Sequence, residues 1–312
     1  MFRHILVPLD GTSAAEQALP VAAELARRAG ARVTLLHVLE AQPPEAVHGQ
    51  RHLTSPLEAE RYLRQQAQAA FPSGLQVSWH VHGPGMSDVG AGLTFHVGEL
   101  DADLVVMCSH GRVRLRHRLS GNLAQQVVAG QSAAVLLVAA PRGHAPAFPF
   151  RRILVALDGR AEHEAGLRHA AELALLCGDA TLLLLTVVPT RTSLSDGQAA
   201  SAVYLPSATS EVLELRRRQA TEYLQRLAGG LSSRGVAVET RVVRGDPSRR
   251  IPAVAKHDRA DLVVLATHGR AGTEAFWSGS VGAKVLRRVR TSVLLVPAPP
   301  PGETAPPDSK SP

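Results

Sequence analysis

Two short segments of this chain place glycines, a histidine and a small polar residue at a spacing suited to holding a phosphate. In the first, Ser109-His110-Gly111 is followed by nine residues and then by Gly121-Asn122. In the second, Thr267-His268-Gly269 is followed by nine residues and then by Gly279-Ser280. Glycine lets backbone approach a ligand closely, and a helix starting where such a loop ends offers unpaired N–H groups to an anion. The same glycines also suit a plain strand-to-helix turn, and a duplication would copy that turn as faithfully as it would copy a site.

Each loop leaves a continuous apolar run of buried-strand type, Asp103-Leu104-Val105-Val106-Met107-Cys108 and Asp261-Leu262-Val263-Val264-Leu265-Ala266. The repeat reaches further. His4-Ile5-Leu6-Val7-Pro8-Leu9-Asp10-Gly11 is echoed by Arg152-Ile153-Leu154-Val155-Ala156-Leu157-Asp158-Gly159, and Ala22-Ala23-Glu24-Leu25-Ala26 by Ala170-Ala171-Glu172-Leu173-Ala174. The offset grows along the chain, which places about ten extra residues in the second half, chiefly in the Ser/Thr/Ala-rich stretch 190–210. Domains are expected at 1–141 and 151–297, with a Pro-rich linker at 142–150 and a disordered Pro-rich tail at 298–312.

Within each half, strands and helices alternate. The first half reads as strand 3–9, helix 13–29, strand 33–39, helix 57–70, strand 75–82, strand 103–108, helix 121–130 and strand 133–138. Ser13-Ala14-Ala15-Glu16 reads as a capping box, and Gly30 stops the helix it opens. The second half reads as 151–157, 161–177, 181–188, 210–229, 236–243, 247–258, 261–266, 279–289 and 292–297. Continuous apolar strands alternating with helices predict an α/β fold, each half a five-stranded parallel sheet with helices on both faces. Ligands on such sheets bind at the carboxyl ends of strands where the order reverses. The loops after the first and fourth strands share that edge.

Asp10 and Asp158 close the first strands there. Either carboxylate could accept hydrogen bonds from ribose hydroxyls or an adenine amino group, and either could cap the next helix. Ser13 is available as a cap in the first half, which tilts Asp10 toward a ligand. Of 14 histidines, ten lie in the first half. His80 and His82 share one face of a strand, yet no carboxylate or cysteine stands at ligand spacing from them, and no metal site is expected. The run Arg112-Val113-Arg114-Leu115-Arg116-His117-Arg118 is an anion-attracting lid or a solvated loop. There is no Gly-Lys dipeptide for a P-loop, no G-x-G-x-x-G after a strand and no G-x-S-x-G elbow. Nothing resembles an activated nucleophile, so binding is favoured over catalysis. A slow nucleotide hydrolase would have His268 as its one candidate for positioning water, and a ligand-free interaction module is the third reading.

Composition narrows the class. The chain has 312 residues, 45% hydrophobic and 20% charged, with a formal charge of +7. The arginines are scattered and aromatic residues make up only 4%, so a nucleic-acid partner is not expected. Apolar runs are too short to span a bilayer, no signal segment stands at the start, and Cys108 and Cys177 form no disulfide framework. Cytoplasmic residence is the expectation.

In these residues the chain resembles the universal stress protein family in its tandem, two-domain form. The resemblance rests on the Ile-Leu-Val-x-Leu-Asp-Gly strand, the Ala-Ala-Glu-Leu-Ala helix, the Asp-Leu-Val-Val strand, His-Gly-Arg and the glycine loop. It implies a stress-response protein with a Rossmann-like, adenine-nucleotide-binding fold. The two domains would pack as a pseudo-dimer through their last strands, and a homodimer is conceivable. It further implies ATP, with or without Mg²⁺, lying against a G-x2-G-x9-G-[S/T] loop. Carried over by residue, the second domain matches best: Asp158, Val187, Ala266 (in place of the first glycine), His268, Gly269, Gly279 and Ser280. The first offers Asp10, Val38, Gly111, Gly121 and Asn122, with Cys108 in place of the first glycine and Asn122 in place of Ser/Thr. The second domain is therefore the favoured ATP site, and the protein reads as a nucleotide-responsive regulator.

Overall fold

The computed structural model describes residues 2–40, 46–47, 50–51, 53–83, 88–109, 119–130, 133–139, 148–193, 206–268 and 280–298. Contacts group them into two units. One centres on Met1–Pro149 and takes in Ser292–Pro297; the other centres on Phe150–Thr267. Of the expected linker 142–150, residues 142–147 lie outside the described residues, as does the expected tail apart from Ala298, which closes the last strand. No described helix is long and apolar enough to cross a membrane.

The strands in chain order are β1 His4–Pro8, β2 Arg32–Val38, the two-residue pair β3 Ala46–Val47 and β4 Gln50–Arg51, β5 Val77–His82, β6 Leu104–Ser109 and β7 Ala134–Ala139. They continue as β8 Arg152–Leu157, β9 Thr181–Val188, β10 Ala237–Arg244, β11 Leu262–His268 and β12 Ser292–Ala298. In the first unit the order is β5-β2-β1-β6-β7, and every neighbouring pair is parallel. In the second it is β10-β9-β8-β11, again all parallel. The fifth strand of the second repeat, β12, groups with the first unit and pairs antiparallel with β7, Leu294 opposite Leu136.

The central strands are buried on both faces. Ile5, Leu6 and Val7 are wholly inaccessible, as are Leu182 to Leu185. Each such side chain contributes about 1.5–3 kcal/mol by leaving water, which explains why the runs are continuous rather than alternating. In each unit the chain moves outward from the first strand and then returns to its other side. The order therefore reverses between β1 and β6, and between β8 and β11.

The aspartate that begins each Asp-Leu-Val-Val run ties this register down. Asp103 accepts from the Arg3 N–H at 2.8 Å and the His4 N–H at 3.2 Å. Asp261 accepts from the Arg151 N–H at 2.7 Å and the Arg152 N–H at 2.9 Å. In both repeats a carboxylate satisfies the backbone at the entry of the first strand, a structural duty at the amino edge of the sheet.

Several helices depart from the sequence reading. The helix expected over 13–29 is two helices, Ser13–Glu16 and Leu19–Ala29. Pro20 has no N–H to extend the first turn and sits instead at the start of the second helix. The cap is Thr12, not Ser13: its side chain accepts from the Ala15 N–H at 3.2 Å. Glu16 is thus no capping-box partner and accepts from the Tyr62 hydroxyl at 2.9 Å. Gly30 ends the second helix in the left-handed conformation at φ 64°, as expected. The helix Val89–Glu99 has no counterpart in the sequence reading; three glycines (Gly90, Gly92, Gly98) lower its propensity. Asp88 starts it, accepting from the Ala91 N–H at 3.2 Å.

Candidate functional site

The carboxyl ends of β1, β2 and β6 surround a cavity of about 100 Å³. Leu36 and Val38 come from β2, Met107 and Cys108 from β6, and Val89 and Leu93 from the helix Val89–Glu99. Asp10 and Glu40 add two carboxylates to this largely apolar lining. The cavity lies where the strand order reverses in the first unit, the position at which doubly wound sheets take ligands.

Asp10 is held in place by its own loop. Its Oδ1 accepts from the Thr12 N–H at 2.9 Å and the Thr12 hydroxyl at 2.6 Å. The Asx turn this makes is favoured by Gly11, whose φ of +86° is costly for residues with a side chain. Among the described residues no donor reaches Oδ2. Asp10 therefore orients Thr12, Thr12 caps the helix, and one carboxylate oxygen stays available beside the cavity. Cys108 is buried, and that burial, with the Asp10 charge second, pushes its thiol up to about 11. It remains a protonated, unreactive wall of the cavity.

The second unit repeats the turn with different neighbours. Asp158 accepts from the Arg160 N–H at 3.1 Å, the equivalent Asx turn, with Gly159 also at φ +86°. Its Oδ1 also meets His163 Nδ1 at 2.8 Å, and Arg160 Nε stands 3.7 Å from Oδ2. Burial works to raise the Asp158 pKa. The His163 hydrogen bond and charge, with those of Arg160, outweigh it and hold the carboxyl below its ordinary value. Asp158 does not cap the following helical turn, whose N-cap is Arg160. Behind each aspartate stands a matching pair: Tyr62 donates to Glu16 at 2.9 Å, and Tyr223 to Glu164 at 3.0 Å. Burial foremost, and then the carboxylate charges, raise both phenols well above the usual range.

Of the remaining expected site residues, Val38 lines the cavity and Val187 lies on β9, half-buried. Ala266 and His268 lie on β11. Gly111, Gly269 and Gly279 lie outside the described residues, as does the arginine run 112–118. Gly121 and Asn122 sit inside the helix Leu119–Ala129, so that helix begins two residues before the glycine expected to open it. Ser280 precedes the helix Val281–Leu286 and caps it, its Oγ accepting from the Ala283 N–H at 3.1 Å. Relative to the motif glycines, one described helix thus starts two residues before Gly121 and the other two residues after Gly279.

A third feature escaped the sequence reading. His96, on the helix Val89–Glu99, packs against His80 and His82 of β5. Its Nε2 lies 2.8 Å from His82 Nδ1, and its Nδ1 lies 2.7 Å from Glu99 Oε2. Burial lowers the His96 pKa, with the Glu99 hydrogen bond acting against it. No i,i+2 or i,i+4 spacing in the sequence joins His96 to His80 or His82, and the helix carrying His96 is masked by its glycines.

Comparison with known proteins matches this architecture. The profile of the Universal stress protein family matches twice, over residues 1–139 and 149–297. A universal stress protein of Synechocystis sp. is 38% identical over 96 residues, 31% of this chain and 62% of that protein. One from Methanocaldococcus jannaschii is 31% identical over 88 residues, 28% of this chain and 52% of that protein. The chain thus spans between half and two thirds of the length of these relatives. The crystal structure of a universal stress protein from Archaeoglobus fulgidus superposes with a TM-score of 0.64 at 15% identity, over 95% of this chain and 96% of that one.

Proposed function

The chain belongs to the universal stress protein family, and from that premise we propose that it binds an adenine nucleotide, ATP in the first place, and acts as a nucleotide-responsive regulator. The observation that carries this reading is the cavity at the carboxyl edge of the first sheet, apolar on its walls and bordered by Asp10. Leu36, Val38, Leu93 and Met107 offer flat apolar contact of the kind a purine takes, and the open oxygen of Asp10 suits a ribose hydroxyl donor. A second carboxylate, Glu40, makes the same place unfavourable for phosphates, which the family resemblance assigns to the glycine motif instead. Mg²⁺ would then accompany the phosphates.

Motif fidelity alone would put the whole ATP site in the second repeat, through Gly269, Gly279 and Ser280. Geometry favours the first repeat for the nucleoside. Asp158 already has His163 and Arg160 as partners, whereas Asp10 keeps one oxygen open. The nucleoside is therefore assigned to the first unit.

ATP titrated into the full chain, followed by calorimetry and thermal shift, tests this. Asp10→Asn preserves an acceptor for Thr12 but turns an anionic acceptor into a neutral amide. It is expected to weaken ATP binding about tenfold, the loss of about 1.5 kcal/mol that a charged hydrogen bond represents. Asp158→Asn should cost less. The reverse order would return the site to the second repeat, and the absence of any ATP-dependent shift would end the nucleotide reading.

A further inference from the structure

We propose that His80, His82 and His96 form a binding site for one divalent transition-metal ion of the Zn²⁺ type, with Glu99 as its positioning carboxylate. The ligand nitrogens of the three rings already lie within 4.8 Å of one another. A zinc ion holds imidazole nitrogen at about 2.0–2.1 Å, which puts tetrahedral neighbours about 3.3 Å apart. Three protein ligands leave a fourth position for water, and His80 is exposed, so an ion has a path in.

The hydrogen bonds set up the chemistry. Glu99 Oε2 can only accept, so His96 Nδ1 carries the proton of that 2.7 Å contact. With the ring neutral, Nε2 then presents its lone pair toward the cluster, where it accepts from His82 Nδ1 at 2.8 Å. A carboxylate that fixes the tautomer of a ligating histidine is the usual outer partner of such sites. Metal entry breaks one hydrogen bond, between His96 and His82. Nitrogen-rich, carboxylate-poor coordination selects Zn²⁺, Ni²⁺, Co²⁺ or Cu²⁺ over Mg²⁺ and Ca²⁺.

Packing alone does not explain the trio. Other buried or half-buried histidines meet backbone or hydroxyl oxygens: His4 bonds the Leu100 carbonyl and Thr34, His37 the Leu9 carbonyl, and His169 the Ala165 carbonyl. Among the described residues, a hydrogen bond between two histidines occurs only here.

The test is calorimetric titration of the untagged, full-length chain with Zn²⁺ alone, with Co²⁺ absorption as a geometric probe. One ion per chain is expected, with visible Co²⁺ bands of tetrahedral intensity. His80→Ala and His96→Ala should each weaken Zn²⁺ by at least tenfold, and Glu99→Gln by about tenfold. His80 is exposed, so its removal leaves the fold intact, which circular dichroism checks. His257→Ala, outside the cluster, should change nothing. Affinity unaltered in His80→Ala, an equal loss in His257→Ala, or no binding tighter than millimolar would each overturn the assignment.

Discussion

Gly11 and Gly159 each follow the aspartate that closes the first strand of a repeat, and both sit at φ +86°. A side chain at that φ costs about 1–2 kcal/mol at either position. What a Cβ would meet differs between them. At Gly159 nothing lies within 4 Å, whereas at Gly11 the Leu53 Cγ is 2.9 Å away and its Cδ1 3.0 Å. Leu53 is itself buried, so it has little room to retreat, and overpacking of this kind adds about 1–3 kcal/mol. Gly159→Ala should therefore lose about 1–2 kcal/mol, and Gly11→Ala about 2–5 kcal/mol. Urea unfolding followed by far-ultraviolet circular dichroism measures the totals. Because a chain with two units need not unfold in one step, amide exchange at β1 and β8 assigns each loss to its repeat. Equal losses, or a greater loss at Gly159, would refute the role given to Leu53.

The anchoring aspartates and the buried histidines yield two more tests. Asp103→Ala and Asp261→Ala each strip two backbone N–H groups of their acceptor and should cost about 2 kcal/mol; urea midpoints within error of wild type would show that water replaces the carboxylate at no cost. Burial lowers the pKa of His4 and of His169 from 6.5. The folded state thus binds fewer protons than the unfolded chain, so stability is complete above pH 6.5 and is lost as the pH falls through and below it. Melting temperatures between pH 5 and 8 should show this, and His169→Gln should flatten the slope; a melting temperature that rises toward acid would contradict the sign.

The fold was legible where chemistry repeats. Continuous apolar runs at β1, β6, β8 and β11 mark a covered parallel sheet whatever the local propensities, because burial on both faces leaves no polar side. Boundaries were less legible. Pro20 lies inside an otherwise periodic helical stretch, and whether it kinks, splits or starts a helix depends on packing. Thr12 and Ser13 are chemically equivalent caps; the choice fell to Thr12 because its hydroxyl also donates to Asp10. The helix Val89–Glu99 was hidden by its own glycines, and with it went the third histidine of a cluster whose first two members the strand pattern had already exposed. A site assembled across a helix of poor propensity leaves almost no trace in spacing.

The two repeats also separate what a duplicated domain keeps from what it changes. The carboxylate at the entry of the first strand, the Asx turn after that strand and the Glu–Tyr pair behind it are present in both. The first two position backbone at the ends of the first strand, and the third ties side chains together behind it. The differences fall on side chains that reach past that frame. Among the described residues, Thr12 orients Asp10 and no donor reaches its other oxygen, whereas His163 and Arg160 engage both oxygens of Asp158. One repeat has Cys108 where the other has Ala266, and the helices that follow start at different places relative to the motif glycines. Under the proposed function these are the atoms a nucleotide would touch. Equal scaffolds with unequal rims predict unequal affinities, and the direction of that inequality follows from which aspartate still has an oxygen to give.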